Sequence, residues 1–170
     1  MATKKGATLL TIPDEAANVE LAPDRKKLSY TKENNLYVAN LKSPSLAVTN
    51  HTDKNIVSGQ AIARYEFGIR KGTFWSPKGN YLAFYEKDET DVADYPLLDI
   101  STTPGKLFTT KYPMAGQKSE YGKVGIYNTK TKSTIYLIVD GPKDQYLTNL
   151  AWDPNEQFVY IAVVLSLIHI

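Results

Sequence analysis

The stretch WSPKGNYLAF, residues 75–84, occurs in related form at two other places in the chain. Residues 21–30 read LAPDRKKLSY, and residues 152–161 read WDPNEQFVYI. In each copy an apolar residue follows the proline by five positions, and another apolar or aromatic residue follows two positions later. Because a unit of this size cannot bury its apolar face alone, the repeat predicts copies that stack against one another.

Each copy predicts two antiparallel strands joined by a tight turn. Proline fixes φ and has no amide hydrogen, so it ends the first strand. Polar residues that favour turns follow it, at residues 24–27, 78–80 and 155–157, and a second apolar run then begins. Strand-like runs at residues 36–41 and 46–49 extend the first copy to four strands. The predicted fold class is therefore all-β, as a partial β-propeller with four-stranded blades.

The spacing of the copies predicts two inserted loops. Pro23 and Pro77 are 54 residues apart, and Pro77 and Pro154 are 77 residues apart. Propeller repeats of this type span roughly 40 to 50 residues, so the excess is expected at residues 50–73 and 90–123. In the second insertion, proline and glycine are expected to break any regular pattern; they are Pro96, Pro104, Gly105, Pro113 and Gly116. Loops on a rigid scaffold are frequent carriers of function.

The number of blades predicts that the chain is a fragment. A propeller needs at least about four blades to close its ring, and the sequence supplies about two full ones, at residues 18–50 and 72–140. Residues 7–12 predict the outermost strand of an earlier blade, and a later blade begins at Leu147. We therefore expect residues 1–164 to form a fragment of an N-terminal propeller domain.

The last six residues, 165–170, read LSLIHI. One frame of the mosaic-end adapter used in transposon-based sequencing libraries encodes the same peptide, and we interpret the segment as a sequencing-adapter artefact. The alternative is that these residues continue the strand that begins at Phe158.

Composition argues against several classes of partner. The net charge is +2, from 20 basic and 18 acidic residues that are mixed along the chain, so no basic patch predicts nucleic-acid binding. No apolar run approaches the ~20 residues of a membrane span, and residues 1–12 lack the apolar core of a signal peptide.

The residue inventory also predicts no metal, cofactor or catalytic residue in this chain. There is no cysteine, which excludes disulfides and thiolate chemistry. His51 and His169 are the two histidines, and the acidic residues at 86–94 lack the spacing of a calcium loop. Neither a G-x-S-x-G elbow nor a glycine-rich phosphate loop occurs, so the chain alone is expected to catalyse nothing.

Residues 59–79 contain the run E-F-G-I-x-K-G-T-F-W-S-P and resemble the N-terminal propeller of the dipeptidyl peptidase IV and prolyl oligopeptidase family of serine peptidases. Residues 94–97, 112–116 and 124–127 resemble the same family. The resemblance implies an eight-bladed propeller that caps an α/β-hydrolase domain, in a bacterial exopeptidase that releases dipeptides or tripeptides, often after proline. The hydrolase domain and its catalytic triad are then expected beyond the end of this chain.

The resemblance also implies a substrate-binding residue. In the family, the insertion before the W-S-P strand forms an arm whose glutamate pairs with the α-amino group of the peptide substrate, and Glu66 matches that position. A carboxylate that pairs with the ammonium group would fix the distance to the scissile bond. Many members carry a second glutamate directly before this position, whereas this chain has Tyr65. In this it resembles the bacterial prolyl tripeptidyl aminopeptidases, which use a single arm glutamate, so dipeptide and tripeptide release both remain open. Arg64 is either a clamp for a substrate carbonyl or carboxylate or part of a surface ion pair, and is not assigned to the site.

The leading hypothesis is a propeller segment that gates access and anchors a peptide with a free N-terminus. The resemblance implies a periplasmic or secreted parent, and whether that parent forms a homodimer stays open. The alternative is a non-catalytic propeller, similar to the TolB propellers, that serves as a protein-interaction scaffold. The insertion that carries Glu66 favours the peptidase, because a scaffold blade has no need for it. Trp75 and Trp152 are predicted to pack between blades.

Overall fold

The computed structural model describes residues 12–40 and 43–165, and it confirms the all-β fold class. The described residues form thirteen strands and one short 3₁₀ helix, Ala63–Gly68. In chain order the strands are β1 Ala17–Leu21, β2 Lys27–Lys32, β3 Asn35–Asn40, β4 Ser43–Ala47, β5 Ile56–Ser58, β6 Thr73–Trp75, β7 Tyr81–Asp88, β8 Asp94–Asp99, β9 Lys106–Lys111, β10 Tyr121–Asn128, β11 Ser133–Tyr136, β12 Tyr146–Trp152 and β13 Val159–Val164.

The strands are arranged as a partial propeller, as predicted. The first blade is the antiparallel sheet β1-β2-β3-β4, and the second blade consists of β6, β7, β10 and β11. The third blade is the pair β12-β13. The second sheet has a fifth strand that the sequence analysis did not predict, because β5 pairs with the end of β7 and places Ile56 opposite Asp88.

The three copies of the repeat form the same turn. In each copy the backbone N–H of the fourth turn residue donates to the carbonyl of the residue three positions earlier, at 2.9 Å. That fourth residue has a positive φ in every copy, of 55°, 71° and 65°. The three donors are Arg25, Gly79 and Glu156, and the three acceptors are Ala22, Ser76 and Asp153. The repeat read from the sequence is therefore a structural repeat.

The two tryptophans pack between blades, which confirms their predicted role. The indole Nε1 of Trp75 donates to the backbone carbonyl of Glu20 in the first blade, at 3.3 Å. The Nε1 of Trp152 donates to the carbonyl of Phe74 in the second blade, at 2.9 Å. Each bond joins the first strand of one blade to the first strand of the blade before it.

The apolar core lies between blades, because successive side chains of a strand face opposite sides of its sheet. On β7, Leu82 and Phe84 pack against the first blade, whereas Ala83 and Tyr85 pack towards the third blade. All four side chains are at most 1% exposed. The second blade is thus covered on both faces. The core on the side of the third blade also contains apolar side chains of the first insertion, which are packed there.

The second insertion is more regular than predicted, and the expectation that proline and glycine break its pattern is wrong for part of it. Strands β8 and β9 form an antiparallel hairpin in which Pro96 lies opposite Thr109. Both strands of a two-stranded ribbon are edge strands, and proline is tolerated there because its missing N–H faces away from the partner. The hairpin forms its own sheet.

Some predictions fall outside the described residues. The strand expected at residues 7–12 lies there except for Ile12, which packs against Leu28, Tyr30 and Ala39. Residues 166–170 of the expected adapter artefact also lie outside, so that interpretation stays a prediction. Among residues 12–40 and 43–165, the structure contains no helix with the length and hydropathy that crossing a membrane requires.

Candidate functional site

The first insertion forms a short arm, residues 59–72, between β5 and β6 of the second blade. The backbone turns in a left-handed sense at its tip, where φ is positive at Ala63, Arg64, Tyr65, Phe67 and Gly68. Four of these residues are not glycine, and each pays a steric cost for this conformation. Interactions outside the tip are therefore needed to hold its shape.

The base of the arm is closed by a glycine. A Cβ atom on Gly72 would lie 2.2 Å from the carbonyl carbon of Gln60, so only glycine allows the two backbone segments to approach this closely. Next to the tip, the side chains of Ile62 and Ile69 are buried in the core between the second and third blades. The two ends of the tip are thus anchored while its middle is exposed.

Glu66, the residue matched to the substrate-binding glutamate, lies at the exposed tip. Its side chain is 51% exposed, and its Oε1 atom lies 3.4 Å from Nη2 of Arg64. Glu66 itself has an ordinary negative φ of −69°, between positive-φ residues on either side. The carboxylate is accessible to a ligand from solvent.

Arg64 connects the arm to the end of the second insertion. Its Nη1 donates to Oγ of Ser119 at 3.2 Å, while Nη2 faces Glu66. Partial burial acts to lower the pKa of Arg64, but the nearby carboxylates of Glu66 and Glu120 outweigh it and raise the pKa. Arg64 therefore stays cationic. It interacts with Glu66 on the arm and with Ser119 and Glu120 of the second insertion.

Glu120 and Tyr146 also hold the arm. Oε1 of Glu120 accepts a hydrogen bond from the backbone N–H of Ala63 at 2.6 Å. The ring of Phe67 packs against that of Tyr146 on β12, with centroids 4.6 Å apart. The sequence analysis missed Glu120 because it lies 57 residues from Ala63 and belongs to no motif.

A cavity of about 520 Å³ lies beside the arm. This volume is within the range of small-molecule sites. The cavity is lined by groups of both charge signs together with two tyrosines, which suits a polar ligand. Its lining is formed by Arg64, residues 113–121, Asp144 and Tyr146.

A second polar cluster surrounds the buried Glu86. Nε2 of His51 lies 3.0 Å from Oγ of Ser58 and 3.2 Å from Oε2 of Glu86. In a catalytic triad the serine and the carboxylate contact different nitrogens of the imidazole, but here both contact Nε2 and Ser58 is fully buried. The hydroxyl of Tyr136 donates to the same carboxylate oxygen at 2.5 Å. This cluster is structural, since it joins β5, β7 and β11.

No group of three or more histidine, aspartate or glutamate side chains in the described parts of the chain is arranged to hold a metal ion.

Comparison with known proteins gives a consistent result. A family model described as the dipeptidyl peptidase IV N-terminal region matches residues 1–165. Dipeptidyl aminopeptidase B of Saccharomyces cerevisiae is 27% identical over 164 residues, which cover 89% of this chain. A dipeptidyl aminopeptidase B of Trichophyton verrucosum, described as probable, is 31% identical over 125 residues, or 69% of this chain.

Two solved structures are similar as well. A candidate dipeptidyl aminopeptidase IV from Bacteroides ovatus shares 47% identity and a TM-score of 0.80 over 89% of this chain. Dipeptidyl peptidase 4 of Porphyromonas gingivalis has a TM-score of 0.76 over 85% of this chain, and at 23% identity it supports the fold alone.

The chain spans only 20% of the yeast protein, 14% of the T. verrucosum protein and 21% of each solved chain. The comparisons favour the peptidase family over the scaffold alternative, because the similar proteins are described as dipeptidyl peptidases or dipeptidyl aminopeptidases. The family model covers nearly the whole sequence. The chain therefore belongs to the dipeptidyl peptidase IV N-terminal region family.

Proposed function

We propose that this chain is a segment of the N-terminal propeller of a serine exopeptidase, and that Glu66 binds the α-ammonium group of the peptide substrate. The observation that carries the proposal is the half-exposed carboxylate of Glu66 at the tip of an arm that adjoins a 520 Å³ cavity. The proposed enzyme releases dipeptides or tripeptides from peptide N-termini, often after proline.

The proposed chemistry of this segment is binding and not bond cleavage. A carboxylate and an ammonium group form a charge-assisted hydrogen bond worth about 1.5 to 3 kcal/mol. An ammonium group held at a fixed point places the scissile bond a fixed number of residues away, next to a catalytic serine that we expect in the hydrolase domain. The surrounding propeller would gate the site by limiting how a peptide reaches it.

The test is Glu66→Ala in the full-length protein. We expect kcat/KM to fall about 10- to 150-fold for peptides with a free N-terminus, which corresponds to the loss of one charge-assisted hydrogen bond. Peptides with an acetylated N-terminus should show little further loss, since they carry no ammonium group. Glu15→Ala serves as the control, because Glu15 is an exposed carboxylate on the first blade whose side chain is 71% exposed. An equal effect of Glu66→Ala on both peptide classes would exclude the anchoring role.

Two further proposals concern the parent protein. We propose that it forms a homodimer, and the β8–β9 hairpin supplies an apolar surface for such contact, with Leu98 63% exposed and Leu107 72% exposed. If the hairpin forms the dimer contact, aspartate at both positions should lower the sedimentation coefficient to that of a monomer. An unchanged coefficient would exclude the hairpin. We also propose a periplasmic or secreted location in a bacterium, which fractionation of cells expressing the complete gene would test.

A further inference from the structure

The arm needs an external support because its own backbone conformation is unfavourable. Ala63, Arg64, Tyr65 and Phe67 all have φ between 50° and 65°, in the left-handed region that residues other than glycine avoid. Glu66 lies inside this segment, so the direction of its carboxylate depends on whatever holds the left-handed turn.

Two backbone hydrogen bonds lie within the arm, from the N–H of Tyr65 to the carbonyl of Ile62 and from the N–H of Ile69 to the carbonyl of Glu66. The side-chain hydrogen bonds that hold the turn come from outside the arm. Glu120 accepts the N–H of Ala63 at 2.6 Å, at the point where the positive-φ segment begins. Ser119 accepts a hydrogen bond from Arg64 at 3.2 Å, and Arg64 in turn lies 3.4 Å from the Glu66 carboxylate. A bond from a backbone N–H to a carboxylate is charge-assisted and stronger than one between neutral groups.

We propose that Glu120 is a positioning residue that fixes the arm and, through Ala63 and Arg64, the position of the Glu66 carboxylate. This inference rests on the proposed function of Glu66. Glu120 acts through its acceptor oxygen on the backbone, and also through its negative charge near Arg64. Since Glu120 lies at the end of the second insertion, it makes the site depend on both insertions of the second blade.

The experiment compares Glu120→Ala and Glu120→Gln in the full-length protein. Alanine removes the acceptor of the Ala63 N–H, so we expect KM for peptides with a free N-terminus to rise about tenfold while kcat changes less than about twofold. Glutamine keeps an acceptor oxygen at the same place, so its KM should stay within about threefold of the wild-type value. Labelling of the catalytic serine by a small fluorophosphonate should proceed at the wild-type rate in both variants.

A double variant separates this inference from the proposed function. If Glu120 acts through Glu66, adding Glu120→Ala to Glu66→Ala should raise KM no further. A full additional loss in the double variant, an unchanged KM in Glu120→Ala, or slower fluorophosphonate labelling would overturn the positioning role and leave the role of Glu66 intact. If Glu66→Ala itself has no effect on free N-termini, the proposed function fails and the inference fails with it.

Discussion

A single exposed glutamate acquires a candidate role here because of the backbone that carries it. Glu66 would be an ordinary surface carboxylate on a regular turn, but it lies among positive-φ residues and beside Arg64. Exposed ion pairs contribute little to stability, so the Arg64–Glu66 contact does not explain why the arm exists. The exposed position of the carboxylate instead supports the proposed role of Glu66 in binding a ligand.

At the residue scale, Gly72 offers a test of how the arm is closed. Gly72→Ala would place a Cβ atom 2.2 Å from the backbone of Gln60, and the backbone would have to move. We expect a loss of about 1 to 3 kcal/mol in the free energy of unfolding, as in other overpacked sites, together with weaker binding of substrate. Urea unfolding and KM measured on the full-length variant check the two effects.

Gly68→Ala is the matched control. Gly68 has a φ of +75° and no atom within 4 Å of an added Cβ, so this change costs only the conformational strain of about 1 kcal/mol. If both variants lose the same stability, the close approach of Gly72 to Gln60 is not what holds the base of the arm.

At the element scale, the third blade is fastened to the second by a carboxylate in its turn. Glu156 accepts hydrogen bonds from the Ser76 hydroxyl at 2.5 Å, from the Lys78 N–H at 2.7 Å and from the Asn80 amide at 2.7 Å. Burial acts to raise the pKa of Glu156, but these bonds outweigh it and hold the pKa below the ordinary value of 4.5.

The lowered pKa of Glu156 predicts a pH dependence. A group whose pKa is lower in the folded state stabilises that state above its unfolded pKa, and the stabilisation is lost as the pH falls through the folded pKa. We therefore expect Glu156→Gln to destabilise the propeller at pH 7, by about 1 to 3 kcal/mol. The difference from wild type should shrink as the pH is lowered below about 4. Urea unfolding at both pH values measures it, and a difference that is independent of pH would contradict the assignment.

The elements differ in how far the sequence could predict them. The turns of the repeat were predictable because the proline and the polar residues after it act locally, as the shared hydrogen bond of Arg25, Gly79 and Glu156 shows. The β8–β9 hairpin was missed because a proline such as Pro96 usually indicates the end of a strand. Only the pairing with β9 shows that Pro96 lies on an edge strand, where proline is tolerated. For the site, Glu66 followed from a motif, whereas Glu120 could not be found without the fold that brings it to Ala63.

At the scale of the whole molecule, the described blades leave apolar surface without a partner. On the third blade the side chains of Phe158, Tyr160 and Val163 are 59%, 59% and 45% exposed. The residues at the equivalent positions of β7 in the second blade are half-buried or buried. Strand β13 pairs with β12 on one side and with no other described strand. Free edges of this kind recruit other chains.

We therefore expect residues 12–165, produced alone, to associate. Light scattering during size-exclusion chromatography should report species larger than a monomer. The full-length protein should show no species beyond the proposed dimer if its further strands cover the same edge. A monodisperse monomer that unfolds cooperatively would show that the exposed edge of β13 is harmless.

The bonds between blades also have a direction. Trp75, Trp152 and Glu156 each lie on a later blade and form a hydrogen bond with an earlier one. An earlier blade therefore gains these bonds only after the next blade has been synthesised. The earlier blade emerges from the ribosome first. Each blade would then be stabilised by hydrogen bonds when the next blade emerges. Protease resistance of the second blade in ribosome-held chains whose exposed part ends before β12 or after β13 would test whether the second blade becomes stable only when the third has been made.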